Sequence, residues 1–557
     1  MPDVFRGVGV GAGIVVAPLV RMGRPPELPS APDGPVADCG VEAARARQAL
    51  ATVSADLAAR SAAAAEATAA DILDALSMIA ADPTLADQVE DLIDARTDAA
   101  HALHQAFEGY RGMLRDAGGY LAERAGDLAD IRDRVISVVL GLPTPGVPDP
   151  GHPFVLAAAD LSPTDTAGID TTVVLALVTE GGGPTSHTAI LARSLGVPCV
   201  VACAGVMEIA DGTLVAVDAE AGVVEAGVDD DRRADLLLAA QRLEASLAAA
   251  AGPGRTADGH PVGLLHNIGS ASDLDGAVDE HFEGVGLFRT ELLFLDRADA
   301  PSPAEQQAAY AAVLRAARGR KVVVRTLDAG ADKPLPFLAM QPEANPALGV
   351  RGLRVGRRMP EVLNVQLDAL AAAAAEVEGA DVWVMAPMVA TPDEAAWFAA
   401  RARAAGLGRV GVMVEVPAAA LRAEEVLAEV DFLSIGTNDL AQYTFAADRM
   451  EGALSSLLDP WQPALLRLIA TCARAGQASG KPVGICGESA ADPALAPVFA
   501  GMGITSLSMS ARAVPSVGRA LAARSLAECE DLARRVTTAG TAEAARRLAT
   551  DAPAGVG

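Results

Sequence analysis

Gly181-Gly182-Gly183-Pro184-Thr185-Ser186-His187-Thr188-Ala189-Ile190-Leu191-Ala192-Arg193 is the stretch on which the reading of the chain turns. An apolar, β-branched run from Thr171 to Val178 precedes it. A helical pattern of Ala189, Ile190, Leu191 and Leu195 follows, closed by Gly196 and Pro198. Strand, glycine turn and helix start in that order predict an α/β unit. Such a turn presents backbone N–H groups and the positive end of a helix dipole, a setting that suits a phosphoryl group. His187 falls in the first helical turn, with Thr185 or Ser186 placed to cap it. The positive end disfavours an imidazolium, so a neutral ring with a free lone pair, a phosphoryl acceptor, is expected near pH 7. A lone histidine in a glycine turn is more often a structural residue. The length and specificity of the string argue otherwise here.

GGPTSHTAILAR, residues 182–193, resembles the active-histidine signature of the phosphoenolpyruvate-utilising phosphotransferases. That family includes Enzyme I of the bacterial sugar phosphotransferase system, pyruvate phosphate dikinase and phosphoenolpyruvate synthase. The resemblance implies a mobile domain whose histidine, here His187, is phosphorylated from phosphoenolpyruvate. Pro184 departs from the pattern, since many members carry Arg or Met there.

Composition sets the outer bounds. A chain of 557 residues, 51% hydrophobic, can bury several cores and predicts three or four domains. A net charge of -28 argues against nucleic acid as a partner and favours a basic one. Cys39, Cys199, Cys203, Cys472, Cys486 and Cys529 show no zinc-site spacing and are expected as free thiols in a reducing cytoplasm. The apolar start from Gly7 to Val20 contains Pro18 and alternates, so it reads as strand and not as a signal peptide. No run of 18 apolar residues predicts a membrane span.

Outward from the histidine turn, residues 1 to about 22 read as strands ending in a proline-rich loop. From Val41 to Leu140 alanine, leucine and charges recur at helical spacing, with breaks at Asp82-Pro83 and Gly118-Gly119. Strand signals return at Pro153–Ala158, Thr171–Val178, Pro198–Ala202 and Leu214–Val217. The expected division is an α/β phosphohistidine (swivel) domain from 1–35 and 141–227, interrupted by a helical subdomain at 36–140. A charged helical linker follows at 228–255, closed by Gly252-Pro253-Gly254. In the Enzyme I branch such an insertion binds the carrier protein HPr, and the string from Tyr120 to Asp127 and on to Ile131 is similar to that subdomain. Resemblance therefore implies HPr as partner.

Beyond Thr256 eight apolar runs alternate with helical stretches: Val262–Ile268, Gly284–Phe288, Lys321–Val324, Asp381–Met385, Val410–Val414, Phe432–Ile435, Pro482–Ile485 and Ser506–Met509. This count predicts a (β/α)8 TIM barrel over 256–545, with a flexible tail at 546–557. Chemistry in such barrels lies at the C-terminal strand ends. Here those ends carry Arg289-Thr290-Glu291, Arg325 to Asp328, Glu415, Gly436 to Asp439, and Cys486-Gly487-Glu488. Forked cations suit a ligand with carboxylate and phosphate, and Glu415 with Asp439 suits magnesium.

The barrel motifs GVGLFRTELLFLDR, VVVRTLDAGADKPLP, NPALGVRGLR, GVMVEVPAA, FLSIGTNDLAQYTFAADR and GICGESAADP resemble the Enzyme I branch of the same family. The resemblance implies that Arg289, Arg325, Asn438 and Arg449 bind phosphoenolpyruvate together with Asp439, with Arg351 nearby. It implies magnesium (Mg2+) on Glu415 and Asp439, and Cys486 as the acid that protonates the enolate to pyruvate. A homodimer through the barrels is implied too. The expected activity is phosphoryl transfer from phosphoenolpyruvate to His187 and then to HPr, the first step of sugar uptake. Alternatives are an ATP-using dikinase or synthase, for whose nucleotide domain the chain has no room; a magnesium-dependent lyase or aldolase, which leaves the histidine unit without work; and a weak paralogue acting as a phosphorylated interaction protein.

Overall fold

A computed structural model describes residues 3–550 apart from 12, 24–25, 27, 30–35, 37, 64–75, 118–124, 143–144, 149, 162–168, 183–187, 190–191, 193–194, 250–251, 280, 295–296, 298, 331–334, 339, 342 and 449–451. The N-terminal half builds one eight-stranded sheet from β1 (Asp3–Arg6), β2 (Val8–Val10), β3 (Ile14–Arg21), β4 (Phe154–Ala158), β5 (Val174–Thr179), β6 (Cys199–Val201), β7 (Leu214–Asp218) and β8 (Val223–Ala226). Its order is β1-β8-β7-β3-β4-β5-β6-β2. Strands β3 to β6 run parallel, which places apolar β4 and β5 at the centre. Leu19, Val155, Ala176 and Val178 pack on one side, and Phe154, Leu156, Leu177 and Ala189 on the other. Both faces are covered, as a near-continuous apolar run in a parallel strand requires. Strand β8 was not foreseen; it pairs in antiparallel register with β7 across Ala219–Gly222, Gly222 lying at φ +64°.

Between β3 and β4 the described residues form four helices with their own core: α1 (Cys39–Ala63), α2 (Pro83–Asp94), α3 (Ala99–Ala117) and α4 (Ala125–Leu140). The break at Asp82-Pro83 is a helix start. The Asp82 carboxylate accepts from Thr84 N–H at 2.8 Å, and Pro83 occupies a position whose missing N–H costs nothing. A further break, absent from the expected pattern, falls at Ala95–Asp98, where Arg96 takes φ +73°. The expected break at Gly118-Gly119 and the string from Tyr120 to Arg124 lie outside the described residues; Ala125 to Ile131 are in α4.

Helix α5 (Asp230–Ala249) follows β8, and its Leu236 packs with Val228 and Ala216 against β3. Then β9 (Gly263–Ile268), β10 (Gly284–Arg289), β11 (Lys321–Arg325), β12 (Asp381–Ala386), β13 (Arg409–Val414), β14 (Phe432–Ile435), β15 (Val483–Ile485) and β16 (Ser506–Met509) close a wholly parallel barrel. All eight runs read from the sequence are barrel strands. The outer helices are α6 (Pro303–Ala316), α7 (Pro360–Glu376), α8 (Pro392–Ala404), α9 (Ala423–Glu429), α10 (Thr437–Phe445), α11 (Pro463–Ser479), α12 (Ala496–Met502), α13 (Val514–Ala522), α14 (Leu526–Thr537) and α15 (Ala542–Thr550), with shorter turns between. Capping boxes start α6 (Ser302 with Glu305), α8 (Thr391 with Glu394) and α14 (Ser525 with Glu528). The tail expected as flexible from 546 is helical as far as Thr550, and 551–557 lie outside the described residues. Ala545 and Ala549 are buried and Arg546 pairs with Asp459 at 3.0 Å, which carries α15 to Thr550.

Candidate active site

The parallel closure brings the C-terminal strand ends to one mouth. Arg325 ends β11 with its guanidinium buried, paired with Glu291 just beyond β10 and 3.2 Å from Asp328. Asp328, 1% exposed, also accepts from Arg351 Nη2 at 3.5 Å. Arg351 reaches on to Asp439 (3.3 Å) in the first turn of α10 and to the Tyr443 hydroxyl (3.3 Å), which donates to Ala347 C=O. One carboxylate thus holds two arginines in a fixed arrangement. Burial opposes the charge of Arg325, but Asp328, Glu291 and Glu415 outweigh it and hold its pKa above the ordinary arginine value.

Glu415 follows β13 and is 1% exposed. Its Oε2 accepts from Met388 N–H at 2.8 Å, a donor aimed by the left-handed backbone of Met388 at φ +59°. Burial, then the charges of Asp439 and Asp328, push the Glu415 carboxyl up to about 8. Gly436 is required beside it, because a Cβ there would lie 2.8 Å from Glu415 Oε1. Arg325 Nε, Glu291 Oε2 and Glu415 Oε1 are buried without a hydrogen-bond partner. Unpaired buried groups of this kind cost free energy unless something arrives to meet them.

The orphaned Glu415 oxygen, beside Asp439, fits a hard divalent cation. Among the described residues no three His, Cys, Asp or Glu side chains gather as a full ligand set. A cation here would rest on one or two carboxylates and draw its other ligands from water and substrate, the habit of magnesium.

Asn438 and Glu488 clasp one another: Asn438 Nδ2 donates to Glu488 Oε1 at 2.8 Å, and Glu488 N–H donates to Asn438 Oδ1 at 3.1 Å. Cys486 lies just past β15, 4% exposed, among Leu287, Val323, Met385 and Met413 inside the barrel. Burial pushes its thiol up to about 11, against a hydrogen bond from Ser434, so the sulfur holds its proton at neutral pH. Arg289 stands exposed at the rim.

Of the residues expected from sequence, Arg289, Arg325, Arg351, Glu415, Asn438, Asp439 and Cys486 meet at this mouth. His187 and Arg449 lie outside the described residues. The helix after His187 is described at Thr188, which donates to Asp160 Oδ1 at 3.0 Å, and at Ala189 and Ala192, both buried against the sheet. Sequence reading gave no role to Asp328, Tyr443 or Gln366. Asp328 had a signal, a carboxylate three residues after Arg325 at a strand end. Gln366 had only a polar atom on an otherwise apolar helical face, and Tyr443 only its place one helical turn after Asp439.

Three family models match the chain: the N-terminal part of the PEP-utilising enzymes over residues 6–124, their mobile domain over 150–222 and their PEP-binding domain over 244–526. A phosphoenolpyruvate-protein phosphotransferase of Streptomyces coelicolor is 52% identical over 534 residues, 95% of each chain. One of Haloferax volcanii is 41% identical over 467 residues, 81% of each. A solution structure described as Enzyme I covers 43% of this chain and 99% of its own, at 30% identity and a TM-score of 0.37. Matched along nearly its whole length, the chain belongs to the PEP-utilising enzyme family, among the phosphoenolpyruvate-protein phosphotransferases.

Proposed function

We propose that this protein takes the phosphoryl group of phosphoenolpyruvate onto His187 and passes it to a histidine of HPr, releasing pyruvate as the first step of sugar uptake. The observation that carries the reading is the set of open buried atoms at the barrel mouth, the Arg325 Nε donor and the Glu415 Oε1 and Glu291 Oε2 acceptors. A donor without an acceptor calls for an anion, and an acceptor without a donor calls for a cation. Phosphoenolpyruvate with its magnesium supplies both.

In this reading Arg289, Arg325, Asn438 and Arg449 grip the carboxylate and phosphate, and Arg351 holds Asp439 in line. Glu415 and Asp439 would hold magnesium, which when bound neutralises phosphate charge and stabilises the departing enolate. The neutral His187 ring attacks phosphorus. Cys486, kept protonated by burial, gives its proton to C3 of the enolate. The helical insertion at 36–140 receives HPr, and the sheet domain travels between it and the barrel about the linker at 228–255. A homodimer through the barrels and a cytoplasmic setting complete the proposal; all six cysteines are free thiols, and among the described residues no helix is long and apolar enough to cross a membrane.

The test is incubation of the full chain with magnesium and phosphoenolpyruvate labelled on phosphorus, without nucleotide. Acid-labile, alkali-stable label on the parent and none on His187→Ala is the expected result. A label that appears only with ATP, or persists in His187→Ala, sinks the reading.

A further inference from the structure

The interior of a parallel barrel is ordinarily filled by bulky branched side chains in layers. Below Cys486 this barrel departs from that. Ser434, Gly286, Gly484, Ser506 and Ser508 line a cavity that runs down to Lys321 at the start of β11, with room for a water molecule. The glycines are required: a Cβ at Gly484 or Gly286 would run into the hydroxyl of Ser506 or Ser508 respectively. At its upper end the Ser434 hydroxyl favours the Cys486 thiolate, while the thiol itself donates to the Ile435 carbonyl at 3.7 Å. Asn267 fixes the wall beside it, donating to Cys486 C=O at 3.1 Å and accepting from Ser508 Oγ at 2.6 Å.

At the lower end the Lys321 ammonium lies 3.9 Å from the centre of the Trp383 ring and 5.9 Å from that of Phe432. Two charged groups face it across the neighbouring strands. Asp381 on β12 accepts from the Trp383 indole N–H at 2.9 Å, and Arg409 on β13 lies over the same ring. Burial lowers the Lys321 pKa to about 8, with Asp381 opposing. An amine so placed exchanges protons readily at neutral pH, whereas an ordinary lysine is locked in its charged form.

We propose that Ser434, water in the serine-lined cavity and Lys321 form a relay that returns a proton to Cys486 from the N-terminal face of the barrel. The relay rests on the reading of Cys486 as the acid. When the thiol S–H gives its proton to C3 of the enolate, a C–H bond forms and a thiolate remains. The Ser434 hydroxyl then passes its proton to sulfur, cavity water passes one to Ser434, and the Lys321 ammonium passes one to the water. Lys321 regains a proton from bulk solvent. No electrons move and no co-reactant is consumed. The path lets the upper mouth stay closed on substrate while the acid is recharged from beneath.

The test uses the full-length protein with magnesium, phosphoenolpyruvate and [14C]pyruvate in D2O. Two quantities are followed: carbon exchange between the two pools, which requires reversible transfer to His187, and deuterium entry at C3 of pyruvate, which requires the thiol proton to trade with solvent. In Lys321→Met and Ser434→Ala, carbon exchange persists while deuterium entered per carbon exchanged falls at least about fivefold, because the proton returns internally. A merely structural role for either residue lowers both quantities together and leaves their ratio unchanged. An unchanged ratio in Lys321→Met overturns the relay, as does loss of both quantities in both variants. Cys486→Ala separates the underlying reading: carbon exchange that survives in it removes Cys486 as the acid, and the relay with it, whatever the ratio in the other variants.

Discussion

Asp328 is the residue through which the two buried arginines of the barrel mouth are positioned, 3.2 Å from Arg325 Nη1 and 3.5 Å from Arg351 Nη2. Asp328→Asn keeps the shape and removes the charge. Breaking a buried ion pair from one side costs about 3 kcal/mol, because the remaining charges stay desolvated. The variant is expected to unfold at lower denaturant and to raise KM for phosphoenolpyruvate more than about tenfold, because Arg325 then keeps Glu291 and Arg351 keeps Asp439 and Tyr443, but the two no longer share one anchor. Equal stability and KM in parent and variant would show that the arginines are held by something else. Glu415 predicts the opposite sign. Its folded carboxyl is raised to about 8, above its ordinary value of 4.5, so the fold binds the proton more tightly than the unfolded chain. Metal-free stability then falls as pH rises from about 4.5 to 8. Glu415→Gln keeps the acceptor for Met388 N–H and removes the charge. At pH 8 without metal, it is expected to melt about 2–4 °C above the parent, while magnesium-dependent phosphorylation is lost. A lower melting temperature for the variant under those conditions contradicts the assignment of an uncompensated carboxylate.

At the scale of elements, the strand ends are tied from behind by a polar cluster inside an apolar layer. Gln366 of α7 donates to Thr290 Oγ1 at 3.0 Å and to the Tyr310 hydroxyl of α6 at 3.1 Å, and accepts from Leu327 N–H at 2.9 Å. Thr290 in turn donates to the Arg325 carbonyl at 2.7 Å. Two helices and two strand ends therefore share one set of satisfied bonds, and the backbone on both sides of Thr326 is fixed by it. Gln366→Leu fills the volume and leaves Leu327 N–H without its acceptor, a loss of about 1–3 kcal/mol. Chemical denaturation is expected to show that loss, and initial rates a fall in kcat/KM, although Gln366 touches no ligand. This cluster marks where sequence reading stops. The eight strands were legible because each is a short apolar run between helical stretches, and Arg325, Glu415 and Asp439 because charges at strand ends make poor core. Gln366 sits among Leu363, Leu367 and Leu370, and nothing in that spacing says which of its neighbours in space carry hydroxyls. Strand β8 was missed for a related reason: four residues, Val223–Ala226, alternate too briefly to register until β7 pairs with them.

At the scale of the whole molecule, described residues of the sheet unit meet the barrel through polar contacts. Arg512, just past β16, donates to the carbonyl of Leu195 at the end of the helix that follows the histidine turn in sequence. A cation at a helix C-terminus complements the dipole. Gly196, at φ +63°, admits the approach, since a Cβ there would run into the Arg512 side chain. Arg519 of α13 pairs with Glu220 at 2.9 Å across the same boundary, with both side chains substantially exposed. An exposed pair of this kind contributes about 0–1 kcal/mol, so the contact is readily broken and remade. That is the energetics the proposed travel of the phosphohistidine unit needs, since one fixed position would not serve both the barrel mouth and a carrier docked, as proposed, on the helical insertion. Replacing Glu220 and Arg519 by cysteine should leave carrier phosphorylation unchanged, because the pair is weak and neither residue is among those that meet at the mouth. Joining the two new thiols with a short bis-maleimide should then stop multiple turnover, while the uncrosslinked double variant runs at the parental rate. Steady-state pyruvate release with carrier present measures it. A crosslinked protein that keeps cycling would mean that His187 reaches both partners without the two units separating at this seam.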